Sequence, residues 1–352
     1  MLREFSTGEL RRRFANAFSP RPLLYWSDFL ASAGMGWGMF VVSAGAPFGS
    51  WMYGAATVIA VVALLRAVIF IHELTHVRAG CLPGFSLAWH VCIGLPLLLP
   101  GLMYVGSHND HHRQSTFGTR ADPEYAPIAQ WSRSRISWSV LSLVFVPFLL
   151  MLRWGVLGPL SFAIPPLRRL LIERASTLVI NLDYRRSLPQ GKQARSWLVQ
   201  EVAVAVVFWG IMVGLYEGLL PFRWVVQWYV VATGLLLVNQ VRTLAAHRYD
   251  NDGARLDVVA QLLDSVTLNG WPIPTVLAAP VGLRFHALHH LLPTVPYHAL
   301  GTIHRILLSE FPADSPYART QERGILAAVR VLLRHAKKPE DHSQVAPAAP
   351  EA

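Results

Sequence analysis

The chain has 352 residues, of which 53% are hydrophobic and only 15% charged, with a mean hydropathy of +0.36. This is too apolar for an ordinary soluble domain and points to an integral membrane protein. A net charge of +10 without any basic recognition motif excludes nucleic acid as the partner and suits loops facing an anionic lipid leaflet.

Residues 1–28 read as a cytoplasmic N-terminal segment, with Arg11, Arg12 and Arg13 and no cleavable signal. The apolar run Phe29–Pro47 then leads outward. After a linker of Phe48, Gly49 and Ser50, the run Trp51–Ile71 returns. It delivers His72 and His76, spaced HxxxH. The next run, Leu87–Val105, is broken by Pro96 and Pro100 and ends at His108, His111 and His112, spaced HxxHH. Ile136–Leu157 is apolar but interrupted by Pro147 and Arg153. Trp197–Leu220 and Val225–Ala246 are again of spanning length and end at His247. A second HxxHH follows, His286, His289 and His290. Residues 337–352, rich in Pro, Ala and charge, read as a disordered tail, which leaves 29–336 as one membrane domain.

The histidines can share a site only if they lie on one face of the membrane. Leu87–Val105 and Ile136–Leu157 must then enter without crossing, as re-entrant or interfacial segments whose prolines are covered by protein. The expected fold is all-α: about four transmembrane helices, two such half-segments, and a cytoplasmic helical cap carrying the histidines. Arg113, Arg120, Arg133, Arg186 and Arg195 then fall inside, as the positive-inside pattern requires.

Spacings of three and four residues put side chains on one face of a helix, so each cluster is expected to aim its imidazoles at one point. With 14 histidines in the chain, an HxxHH arises by chance roughly 0.02 times. A metal centre is the reading that explains all three clusters together. Nine imidazoles, counting His247, suit two ions rather than one. A structural zinc site closes with four ligands, and hydrolytic two-metal sites carry bridging carboxylates. A histidine-dominated pair of ions beside lipid suggests oxygen activation by iron.

In the order and spacing of these boxes, and in the Leu-Pro-Thr-Val-Pro-Tyr-His segment after the third, the stretch from Trp51 to Leu308 resembles the membrane fatty acid desaturase superfamily. The resemblance implies a non-haem di-iron centre, molecular oxygen as co-substrate, and His72, His76, His108, His111, His112, His286, His289 and His290 as ligands. His247 resembles a further ligand at the end of the last spanning helix. Where relatives have a water-holding Asn four residues before it, this chain has Thr243. The implied activity is desaturation of a fatty acyl lipid in a bacterial inner membrane or a similar one, with the site facing the cytoplasm. The alternative within the superfamily is a hydroxylase or ketolase acting on a fatty acid, sphingolipid or carotenoid. A metal transporter is the rival from another class, but it would carry its ligands within the spans.

Thr243, Asp257 and Asp264 are the candidates for supporting contacts, the two acids against the alternative of solvated or salt-bridged groups. Glu73 and Asp110 sit inside the boxes but point off the ligand faces. Asp122 and Glu124 read as loop structure, and His90, His298, His304, His335 and His342 have no partner at ligand spacing. Two cysteines, Cys81 and Cys92, cannot build an iron–sulfur cluster or a disulfide framework. With no haem or dinucleotide motif either, electrons are expected from a separate ferredoxin or b-type cytochrome.

Overall fold

Two helical hairpins and a helical cap make up the structure, a computed structural model that describes residues 7–336 apart from 79 and 179. The expected tail, 337–352, lies outside the described residues. A short first helix, Thr7–Arg13 (α1), precedes the first hairpin, Pro22–Gly45 (α2) and Trp51–His76 (α3). Pro22 occupies the first turn of α2, where its missing N–H costs nothing. The Ser50 hydroxyl caps α3, accepting from the Tyr53 amide at 3.1 Å. Close packing between the pair depends on Gly36, where a Cβ would lie 2.6 Å from Leu64 Cγ. A two-point ion pair locks them: Arg66 Nε donates to Asp28 Oδ1 at 2.7 Å and Nη2 to Oδ2 at 2.5 Å.

Phe85–Gly94 (α4) and the irregular turns up to Met103 are too short to span, as the one-face requirement demanded for Leu87–Val105. Val105–His111 (α5) follows. Ile136–Leu157 departs from expectation. It lies inside a 29-residue helix, Arg133–Ser161 (α6), which is long and apolar enough to cross a membrane. Its prolines and Arg153 do not break it, because a 3₁₀ turn at Ser142–Phe145 and a π turn at Arg153–Leu157 absorb the changes of register. Both flanks of α6 nonetheless return to the histidine-bearing layer. Before it, Arg133 Nε donates to the Leu333 carbonyl at 3.1 Å. After it come Pro165–Arg174 (α7) and the Ile180 amide, which donates to Pro123 at 3.1 Å.

The second hairpin is Gly191–Tyr216 (α8) and Phe222–Leu244 (α9). Gln227 ties it to the first, donating to Ser43 Oγ at 2.7 Å and Thr57 Oγ1 at 3.0 Å. Among the described residues four helices combine spanning length with high hydropathy: α3, α6, α8 and α9. The number matches expectation but the membership does not. Helix α2 has 24 residues, yet Ser27, Asp28 and the glycines at 34, 36 and 38 dilute it out of that set.

The cap is built from Val258–Asp264 (α10), Pro272–Ala278 (α11), His286–Leu291 (α12), Tyr297–Glu310 (α13) and Ile325–His335 (α14). A two-stranded parallel pair, Thr267–Leu268 (β1) and Gln321–Glu322 (β2), stitches it together. Helix α1 is folded onto this layer, with Leu10 buried in the same cluster as Leu262, Leu288 and Ile303.

Candidate metal centre

Helix α3 brings His72 and His76 up from the hairpin, one turn apart on its last two turns. Helix α5 carries His108 and His111, with His112 at its end. His247 is placed by backbone pairing rather than by a helix. It bridges Ser265 in antiparallel fashion, with the Arg248 amide donating to the Asp264 carbonyl at 2.7 Å and Val266 to Ala246 at 2.9 Å. Thr267 in turn bridges Phe285, the residue before α12, so one small ladder registers His247 against His286.

All nine predicted imidazoles converge, in two groups. His72, His76, His108, His112 and His289 form one; His111, His247, His286 and His290 form the other. Within each group one ring nitrogen per residue lies within 4.8 Å of all the others. The expectation that each box aims at a single point holds only for the first. Boxes two and three are shared between the groups, because residues i and i+4 lie about 40° apart around a helix while i+3 falls about 60° to the other side. His108 and His112 serve one group and His111 the other; His286 and His290 serve the second and His289 the first.

Three rings are fixed from behind by carboxylates. His108 Nδ1 lies 2.9 Å from Glu124 Oε1, His111 Nδ1 2.9 Å from both oxygens of Asp122, and His247 Nδ1 3.0 Å from Asp264 Oδ2. With Nδ1–H donating to an acid, each Nε2 presents a lone pair inward. Asp122 also accepts from the Gly118 amide at 2.8 Å and the Glu124 amide at 2.9 Å. The loop that allows this turns at Gly118, whose φ of +71° and close approach to Asn251 leave no room for a side chain. Asp264 accepts from Tyr125 as well, at 2.8 Å.

Facing nitrogens stand very close. His108 and His112 Nε2 are 3.1 Å apart, His112 and His289 3.0 Å, His247 and His286 2.9 Å, and His286 and His290 3.1 Å. Burial holds His108, His112, His286, His289 and His290 well below the usual histidine range, so these rings are neutral. In His111 burial acts the same way, but the Asp122 charge outweighs it and raises the ring. Each neutral ring has a single N–H, so the shared His112 and His286 nitrogens can each donate to only one of their two close neighbours, and the other contact sets lone pair against lone pair unless a cation lies between. Both ring nitrogens of His72, with His76 Nε2, are buried without a hydrogen-bond partner among the described residues. The residues therefore fit metal ions.

The supporting residues differ in part from expectation. Asp264 contacts His247, whereas Asp257 is exposed and caps α10, accepting from the Ala260 amide at 2.8 Å. Seven residues separate the two acids, yet Asp257 precedes the helix and shares no face with Asp264. The Thr243 hydroxyl accepts from Arg242 Nη2 at 2.9 Å. Asp122 and Glu124, read as loop structure, are the carboxylates behind box two; their signal was a pair of acids shortly after a histidine box in a basic stretch. Glu73 accepts from the Tyr25 hydroxyl and, at 3.0 Å, from the Tyr297 amide, while its Oε1 lies 3.8 Å from His72 Nδ1. Asp110 accepts from Tyr184 at 2.7 Å. His90, His298, His304 and His335 belong to neither group, and His342 lies outside the described residues.

Beside His72 opens a cavity of about 430 Å³ that runs along α3, α6 and α9. Val68, Leu149, Leu150 and Leu235 line one part of it, and Tyr104, Asn239, Arg242 and Thr243 another. Leu178 and Leu182 at its rim are 40% and 80% exposed. An apolar slot with a polar end, open beside exposed apolar side chains and reaching His72, suits an amphipathic chain molecule.

Comparison with known proteins agrees with this geometry. Residues 48–321 match the fatty acid desaturase family, and that span includes all nine histidines. The chain belongs to the fatty acid desaturase family. It is also 39% identical over 330 residues to a ceramide hydroxylase of Caulobacter vibrioides (strain NA1000 / CB15N), an alignment covering 94% of this chain and 93% of the relative. No solved structure matches the chain. As a family member with a hydroxylase relative, the protein is an oxidoreductase of the membrane desaturase and hydroxylase group.

Proposed function

We propose that this protein is an oxygen-dependent ceramide hydroxylase, using iron held by the nine histidines, rather than the fatty acyl desaturase suggested by the motifs. The observation that carries the choice is the 39% identity to a ceramide hydroxylase along almost the whole of both chains. The cavity supports it, since its polar end suits a lipid that keeps an amide and hydroxyls next to its chains. Overall, one C–H bond, one O2, two electrons and two protons give one C–OH and one water. The electrons come from a separate one-electron carrier protein, ferredoxin-like or b-type haem. Bound iron would supply the oxygen activation. The chain's own residues do the rest. Glu124, Asp122 and Asp264 hold the rings in one orientation, and Val68, Leu149, Leu150 and Leu235 keep the lipid chain in place and water away.

The test is expression in a host lacking related enzymes, growth under ¹⁸O2, and mass spectrometry of the ceramides. A new hydroxyl carrying ¹⁸O is the expected product. Appearance of a double bond without oxygen incorporation would restore desaturation.

A further inference from the structure

Arg242 is a half-buried cation that makes no direct ion pair among the described residues, although the Glu124 carboxylate lines the same cavity. It sits on the last turn of α9, five residues before His247, and lines the cavity beside His72. Its Nη2 donates to Asn239 Oδ1 and Thr243 Oγ1, both at 2.9 Å. Its Nε is buried with no hydrogen-bond partner, and among the described residues the guanidinium forms no ion pair. A charge taken out of water in this way is costly unless something supplies acceptors. Asn239 and Thr243 both accept from Nη2, which leaves Nη1 as the donor for a guest.

The cavity wall has the same polarity gradient on two separate helices. On α3 it passes from Val68 and Ile69 to His72; on α9 it passes from Leu235 and Leu236 to Arg242 and Thr243. The polar end is therefore the metal end, and the apolar end lies about one to two helical turns further along both helices. An amphipathic lipid placed by this gradient puts its polar group beside the imidazoles and its chain away from them.

We propose that Arg242, positioned by Asn239 and Thr243, grips a hydrogen-bond-accepting oxygen of the ceramide's amide or hydroxyl group, so that oxidation falls on a carbon within a few bonds of the head group. This rests on the hydroxylase reading for its substrate but assigns a residue and a position that the reading leaves open. The opposite placement has an anchor too: Arg174, an exposed residue at the cavity rim. A head group held there would send the chain tail first toward the imidazoles and give mid-chain oxidation.

The experiment uses the full-length protein in nanodiscs with N-palmitoyl sphinganine and free palmitate as probes. Binding is read by native mass spectrometry, and the position of the product hydroxyl by fragmentation. Arg242→Gln is expected to weaken ceramide binding about tenfold to a hundredfold, the loss of one charge-assisted hydrogen bond, and palmitate, whose carboxylate offers Arg242 a stronger acceptor, at least as much. Arg242→Lys should recover part of it, and the wild-type hydroxyl should lie within about four carbons of the amide. If Arg242→Gln misfolds, Thr243→Val and the product position still decide. A mid-chain hydroxyl, or ceramide binding lost in Arg174→Gln and kept in Arg242→Gln, overturns the proposal while leaving hydroxylation intact. A double bond near the head group with the same Arg242 dependence would instead refute the hydroxylase reading and keep the anchor.

Discussion

His111 Nδ1 lies 2.9 Å from both carboxylate oxygens of Asp122, a residue eleven positions further along the chain. Two backbone amides, of Gly118 and Glu124, hold the same carboxylate, so the acid cannot follow the ring if the ring turns. The pair fixes both the tautomer and the direction of Nε2.

Asp122→Ala should therefore leave His111 free to rotate and empty the second group, with iron per chain falling toward half. A loss of about tenfold to a hundredfold in metal affinity or turnover is expected. Glu124→Ala should do the same to the first group through His108. Metal analysis of purified protein checks both; full iron in either variant would show that the ring direction is set elsewhere.

The two acids flanking α10 should behave oppositely. Asp257→Ala removes a helix cap and is expected to lower stability by about 1 kcal/mol with turnover retained. Asp264→Ala removes the partner of His247 and of the Tyr125 hydroxyl, so metal content should fall. Thermal unfolding in detergent and iron assay on the same samples separate them.

Asp28→Asn tests the hairpin. It leaves the Arg66 guanidinium, only partly exposed, without its carboxylate, and also weakens the hydrogen bond from Tyr297, whose hydroxyl donates to Asp28 at 2.9 Å. A loss of about 1.5–3 kcal/mol is expected, read as a lower melting temperature. An unchanged melting temperature would mean that apolar packing alone holds α2 to α3.

Membrane sidedness is checked by cysteine labelling in a background with Cys81 and Cys92 replaced. Cysteines at Ser50 and at Arg223 lie at the ends of α3 and α9 remote from the histidines, whereas Arg133 lies beside the cap. An impermeant reagent added from outside is expected to reach the first two and not the third. Labelling of Arg133 from outside as well would mean that Leu87–Val105 crosses fully, which would put the first and second histidine boxes on opposite faces.

What the sequence determined by itself was local or compositional. Hydropathy marked the membrane class, the histidine spacings marked eight of the imidazoles that the structure gathers, and the place of His247 after the last apolar run, with the family resemblance, marked the ninth. The need for a common face fits Phe85–Gly94, which is too short to span, but not Ile136–Leu157, which lies in a helix of spanning length. Helical periodicity also turned Asp110 toward Tyr184 rather than the rings, because that geometry depends only on neighbours in the same helix. Tertiary structure decided everything that joins distant segments. The division of nine histidines into five and four depends on how α3, α5 and α12 cross, since a helix wheel shows three directions but not which neighbour stands in each. Asp122 and Glu124 come to the rings through a loop whose path is set by Gly118 and its hydrogen bonds, not by any period in the sequence. Asp257 and Asp264 look equivalent as letters seven apart, yet one precedes its helix and the other ends it against a backbone ladder. The length of α6 was hidden for the same reason. A proline and an arginine read as breaks in a regular helix, whereas irregular turns and the buried partner of Arg153, Glu201 at 3.0 Å, absorb both once α8 is packed alongside.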